Sequence, residues 1–279
     1  MRKALFSLAL VVSTATAAQA AGVGPPIAYS IGREVYLSTA DGSSIRLLYT
    51  GANRTSIFGV QLKPGGGEVA FEETACCSMP SSSQLKVVRF DANGTRLGTA
   101  AVTVCGRVSG TAYHPTDGSL LYASTCNQPL MRLDTATMAT SPVGVPHRVS
   151  KASWLPNGTE FIYAAAAKIW RVATANLGSP SAVASADCVQ SLDAGNSTDR
   201  ALWTDGCAGT LNLLNLSTGQ SSALRQGSNA SFLPDDAEYA YLSPQARSGG
   251  YLLISKTDGS GTQTRIGSQA KYTAVDWRK

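Results

Sequence analysis

Apolar and polar positions alternate in short runs along this chain, and no long stretch carries a 3.6-residue apolar period. Segments such as Val87-Val-Arg-Phe-Asp91, Leu130-Met-Arg-Leu-Asp134, Ile169-Trp-Arg-Val-Ala173 and Leu252-Leu-Ile-Ser-Lys256 have the length and composition of strands. Turns rich in glycine, serine, threonine and asparagine separate them. This pattern predicts an all-β chain.

A turn signal recurs after a short strand: Leu62-Lys-Pro-Gly-Gly66, Tyr113-His-Pro-Thr-Asp-Gly118, Trp154-Leu-Pro-Asn-Gly158 and Phe232-Leu-Pro-Asp-Asp236, with a degenerate copy at Leu192-Asp-Ala-Gly-Asn196. The spacing is about 40 residues, with one longer interval. After each turn comes a strand with a large aromatic at one place (Phe71, Tyr122, Tyr163, Trp203, Tyr241), then an apolar strand, a polar turn and a weaker fourth strand. Four antiparallel strands in a unit of this length make the blade of a β-propeller.

Two fragments flank the five complete units. Residues 26–49 begin at a second strand, with Tyr29 in the aromatic position, and Tyr272-Thr-Ala-Val-Asp-Trp-Arg-Lys279 reads as a first strand alone. A propeller ring must close, and one blade shared by both termini leaves no exposed seam. The expectation is a six-bladed β-propeller. Strands b–d of its closing blade come from the N-terminal side and the innermost strand a from the C-terminal side. The recurring aromatics are then core between blades.

The order of strand, proline–glycine turn, aromatic strand, Ile169-Trp-Arg-Val-Ala173-type strand and aspartate–glycine turn resembles the TolB-like (WD40-like, PD40) repeat. The turns at 38–44, 114–118 and 255–261 match best. The strong W-S-P-D-G core of that repeat is eroded in every copy here. The resemblance runs over residues 27–279. It implies a periplasmic six-bladed propeller that binds something at one end of a rigid ring.

Residues 1–20 read as an export signal, with a basic Met1-Arg2-Lys3 head, an apolar run from Ala4 to Val12 and the small-x-small site Ala18-Gln19-Ala20. The run is too short to span a bilayer. Residues 21–279 are then expected to form a single propeller domain, periplasmic or secreted, that is monomeric and has no membrane span. Without Arg2 and Lys3 the formal charge falls from +5 to +3, too mild to suggest nucleic acid. All six cysteines fall in the mature part, as in an oxidising compartment. Hairpin register pairs a residue just ahead of strand a with one just after strand b, which predicts disulfides Cys105–Cys126 and Cys188–Cys207. Cys76 and Cys77 face Asn53 and Arg54 instead. For them a vicinal ring remains open, as do thiols that stay free or pair between chains.

In a propeller the connections d–a and b–c share the face around the channel mouth. The residues expected there are Arg54, Arg107, Arg148, Gln190, Asn229 and Lys271, with the Cys76–Cys77 loop at the rim. Four of these six are basic, which would focus a positive potential on a carboxylate, a phosphate or an acidic peptide. Replacing Arg107 and Arg148 is expected to weaken such a ligand and leave stability unchanged. No cofactor or metal site is expected, because no His or carboxylate cluster has ligand spacing. Asp193, Asp235 and Asp276 are assigned to turns and strand ends on the far face. The first functional reading is a non-enzymatic binding module for a protein or anionic ligand. The alternative is a carbohydrate-active lyase or hydrolase with His147 as general base; His114 reads as a turn residue.

Overall fold

The computed structural model describes residues 27–76, 81–126, 129–196, 199–244 and 249–277. Blade 1 holds β1 (Ile27–Ile31), β2 (Glu34–Ser38) and β3 (Ile45–Thr50). Blade 2 holds β4 (Thr55–Leu62), β5 (Glu68–Ala75), β6 (Ser82–Phe90) and β7 (Arg96–Cys105). Blade 3 holds β8 (Val108–Tyr113), β9 (Ser119–Ser124), β10 (Leu130–Asp134) and β11 (Thr140–Val143). Blade 4 holds β12 (Lys151–Trp154), β13 (Glu160–Ala165), β14 (Lys168–Ala173) and β15 (Ser181–Ser185). Blade 5 holds β16 (Val189–Ala194), β17 (Arg200–Asp205), β18 (Thr210–Asn215) and β19 (Ser221–Gln226). Blade 6 holds β20 (Ser228–Phe232), β21 (Glu238–Leu242), β22 (Gly250–Lys256) and β23 (Thr264–Ala270). The last strand, β24 (Tyr272–Trp277), returns to blade 1 and gives its sheet the order β24-β1-β2-β3.

The expected seam is present. Strand β24 pairs antiparallel with β1, with Ala28 opposite Asp276 and Tyr29 opposite Val275. The innermost strands β4, β8, β12, β16, β20 and β24 then neighbour one another in a closed cycle. Local chemistry shapes each hairpin. Asp117 Oδ1 accepts from Ser119 N at 2.8 Å and Asn157 Oδ1 from Thr159 N at 3.0 Å. The glycine in each of these two turns has positive φ, +73° at Gly118 and +65° at Gly158, which a Cβ would disfavour. His114 is part of such a turn: its Nδ1 accepts from Thr116 N and Asp117 N, so Nε2 donates to Gly158 O at 2.9 Å.

The second strand of each blade is the most buried and the outermost is largely exposed, as β9 and β7 illustrate. Tyr29, Phe71, Tyr122, Tyr163, Trp203 and Tyr241 are all buried in the apolar layers of the blades. Side chains then stitch the inner strands together across blade boundaries. Asp276 accepts from Leu62 N at 2.7 Å and from Ser231 Oγ at 2.9 Å, Asp193 accepts from Phe232 N at 2.9 Å, and Thr273 donates to Ile57 O at 2.7 Å. Of the three aspartates assigned to turns and strand ends on the far face, Asp235 caps a turn through Ala237 N. Asp193 and Asp276 stand next to the ends of β16 and β24, beside the far cavity, and there they join neighbouring blades rather than cap a turn, because a short acceptor on an innermost strand reaches the next strand.

Both expected disulfides are present, Cys105–Cys126 and Cys188–Cys207, each with Cα atoms 5.7 Å apart. They fit an oxidising, extracytoplasmic setting. Among the described residues no helix is long and apolar enough to cross a membrane. The proposed export signal and Cys77 lie outside the described residues. Cys76 is an exposed free cysteine whose N–H donates to Arg54 O at 2.7 Å.

Candidate functional site

Connections d–a and b–c gather at one end of the ring, and there the inner strands open into a cavity of about 730 Å³. Arg107, Thr125, Lys151, Gln190, Asn229 and Thr273 supply polar groups to its wall, and Phe58, Leu242 and Tyr272 the apolar part. Below it the channel narrows to about 80 Å³ between the strands, where Lys151, Gln190 and Asn229 recur with Ser109, Asp193 and Asp276. A separate cavity of about 340 Å³ lies at the far end, among the hairpin turns of Pro64, Pro115 and Pro156.

One wall of the funnel carries an ion pair. Glu72, on β5, is 1% exposed and takes Arg107 in a two-pronged contact, Nη2 to Oε2 at 3.1 Å and Nε to Oε1 at 3.4 Å. Val108 N donates to the same carboxylate at 3.0 Å, and the guanidinium lies 4.2 Å from the centre of the Phe58 ring. Such a charge-assisted, bidentate pair fixes both partners. It also means that Arg107 contributes little net field. Removing Arg107 would leave Glu72 buried without its counterion, so the expected neutrality of that substitution for stability does not survive the geometry.

Lys151 stands at the head of β12, half-buried, where the funnel meets the channel. Among the described residues no hydrogen bond or ion pair holds its ammonium. Its stem lies over Gly110, where a Cβ would come 3.2 Å from Lys151 Cδ and 3.0 Å from its Cα. The enclosed site brings its pKa down from 10.5 to about 8, chiefly through burial; Glu72 opposes this shift and Arg107 adds to it.

Of the residues expected at the mouth, Arg107, Gln190 and Asn229 line the funnel. Arg148 is exposed and donates to Thr125 O at 2.7 Å, on the rim. Arg54 and Lys271 are exposed beside β4 and β24, and neither lines the cavity. The basic groups are therefore spread over the end of the ring, not concentrated at its centre. His147 hydrogen-bonds through Nδ1 to the Tyr163 hydroxyl at 2.8 Å and stacks on Trp170 at 4.2 Å, away from the funnel lining. Lys151 was missed in the sequence because Arg148 took its place in the blade-4 register. The available signal was its position, immediately before the residue that faces the blade's aromatic: Ala152 lies opposite Tyr163.

A closed ring of six four-stranded blades with a polar funnel at one end is a TolB-like β-propeller in fold. Similar solved structures include TolB from Acinetobacter baumannii, with a TM-score of 0.74 and 18% identity, covering 91% of this chain and 66% of that one. This chain therefore spans about two thirds of that TolB chain's length. A chain of a nidogen/laminin complex is similar at a TM-score of 0.68, with 9% identity and coverage of 92% and 99%. An oligogalacturonate lyase in complex with manganese reaches 0.55, with 11% identity and coverage of 79% and 72%. At these identities the likeness is one of fold. No protein-family model and no curated protein matches the chain.

Proposed function

We propose that this protein is an exported, non-enzymatic binding module that takes an anionic ligand, or an acidic segment of a partner protein, in its funnel. The carrying observation is the 730 Å³ cavity at the d–a end, whose wall joins Lys151 to the amides of Gln190 and Asn229. A cation and neutral donors held on rigid strands suit recognition of an oxyanion without chemistry at the bound group. The periplasm or the cell exterior is the setting that two disulfides and the apolar N-terminal run support.

The test is calorimetry with a hexaglutamate peptide at low salt, comparing the wild type with Gln190→Glu. This near-isosteric change adds a carboxylate to the funnel wall, and like charges brought together cost binding energy. The peptide should bind the wild type and lose affinity at least about fivefold in the variant. Equal affinity would place the site elsewhere. Turnover of a uronate polymer by the wild type would favour the lyase or hydrolase reading instead.

A further inference from the structure

The charges at the neck of the funnel do not balance. Glu72 and Arg107 neutralise each other, at 3.1 Å on a carboxylate that also takes Val108 N. Asp193 and Asp276 lie deeper, on wall shared with the far cavity, where their oxygens accept from Phe232 N, Leu62 N and Ser231 Oγ. The charged groups that act on Lys151 are Glu72 and Arg107, and as a pair they sum to zero. Among the described residues one ammonium is thus left without an acceptor in a half-enclosed site, an arrangement that is costly unless an anion completes it.

We propose that Lys151 Nζ is the anchoring cation of the funnel and that it receives one carboxylate of the ligand, with the amides of Gln190 and Asn229 as neutral donors around it. This rests on the funnel being the binding face and adds the group that anchors the ligand and the chemistry it selects. A single uncompensated charge matches a monoanion. A phosphate dianion calls for a cluster of cations, and Arg107 is already taken by Glu72. The carboxylate can come from an acidic side chain of a peptide or from a uronic acid. Because burial lowers the ammonium's pKa to about 8, binding should fall in mildly alkaline solution while the ligand's carboxylates stay ionised.

The experiment titrates tetraglutamate, trigalacturonate and inorganic phosphate into the wild type, Lys151→Met and Lys151→Arg at pH 7 and pH 9.5. Calorimetry gives the affinity, and the side-chain amide NMR signals of Gln190 and Asn229 report where the probe sits. A carboxylate probe should move those signals in the wild type. Lys151→Met should weaken it about 10- to 100-fold, the range for a charged hydrogen bond. The wild type should lose affinity at pH 9.5, whereas Lys151→Arg, whose guanidinium does not titrate there, should keep it. Tetraglutamate as the better ligand would mark an acidic protein segment, and trigalacturonate a uronate; either supports the anchor. If the amides shift equally in Lys151→Met, or phosphate binds as well as the carboxylates, the anchor is overturned while the funnel stands. If no probe moves them in any of the three proteins, the funnel reading itself falls.

Discussion

Replacing Lys151 with methionine should make the free protein more stable. Below pH 8 the lysine is charged in both folded and unfolded chains. Its pKa of about 8 in the fold, against 10.5 when solvated, expresses the cost of holding that charge in the funnel wall. A difference of about 2.5 units corresponds to about 3 kcal/mol, an upper value because the side chain keeps some access to water. Methionine has a similar volume, leaves the Glu72–Arg107 pair intact and carries no charge to desolvate. For a chain of this size the gain translates to about 6–10 °C in Tm at pH 7. The sign reverses the usual expectation for a partnered lysine. Here the folded pKa is depressed, so the unfolded chain binds the extra proton between pH 8 and 10.5. Wild-type stability should therefore rise across that window, and the advantage of Lys151→Met should shrink towards zero by its upper end. Urea unfolding at low salt, with Cys76 blocked and the pH stepped from 7 to 10, reads both effects. A variant less stable than the wild type at pH 7, or a pH-independent difference, would show that Lys151 is paired and would refute the uncompensated charge. A gain in stability together with a loss of carboxylate binding is the trade-off expected of a binding residue.

Three further outcomes follow from the scaffold. Glu73 is buried, which raises its pKa, but Lys86, Ala52 N, Tyr49 and Thr55 together hold it down to about 2 from 4.5. Its stabilisation is present above pH 4.5 and lost as pH falls towards 2, and Glu73→Gln should flatten acid unfolding in that window by up to about 3 kcal/mol; an unchanged acid limb would count against the cluster. Disulfides Cys105–Cys126 and Cys188–Cys207 span 21 and 19 residues, so removing either pair as a double alanine variant should cost about 3 kcal/mol in urea, and no loss would contradict the constraint. Asp276→Ala leaves Leu62 N and Ser231 Oγ without their acceptor beside the seam and should cost about 1–3 kcal/mol; a neutral result would mean the seam does not depend on this bridge.

The ring was legible because its signals are local. A proline–glycine turn, an aromatic two strands deep in every blade and a first strand stranded at Tyr272–Trp277 each follow from short-range backbone and packing demands, and the seam opposite Ala28 and Tyr29 follows from closure. The cysteine pairs were legible for the same reason, since a hairpin register fixes which residues face each other. The funnel was legible only in part. Gln190 and Asn229 fell into place because each is the second residue of its innermost strand, β16 and β20, whereas Arg54 and Lys271 precede theirs. Blade 4 inserts a longer approach, residues 144–150, so Arg148 ends on the rim at Thr125 O and Lys151 takes the inner position. The Glu72–Arg107 pair was invisible in the sequence, because it joins the second strand of one blade to the lead-in of the next across 35 residues. Whether an arginine at the mouth is free or already neutralised is decided by such non-local contacts.

The most direct measurement is the titration of the Lys151 ammonium itself, followed by NMR of isotope-labelled lysine Cε and Nζ and assigned with Lys151→Met. The free protein should show one lysine titrating near pH 8, and its pKa should climb when tetraglutamate or trigalacturonate is added. A Lys151 that titrates near 10.5, and does so equally with and without a carboxylate ligand, would contradict an unpaired cation waiting in the funnel.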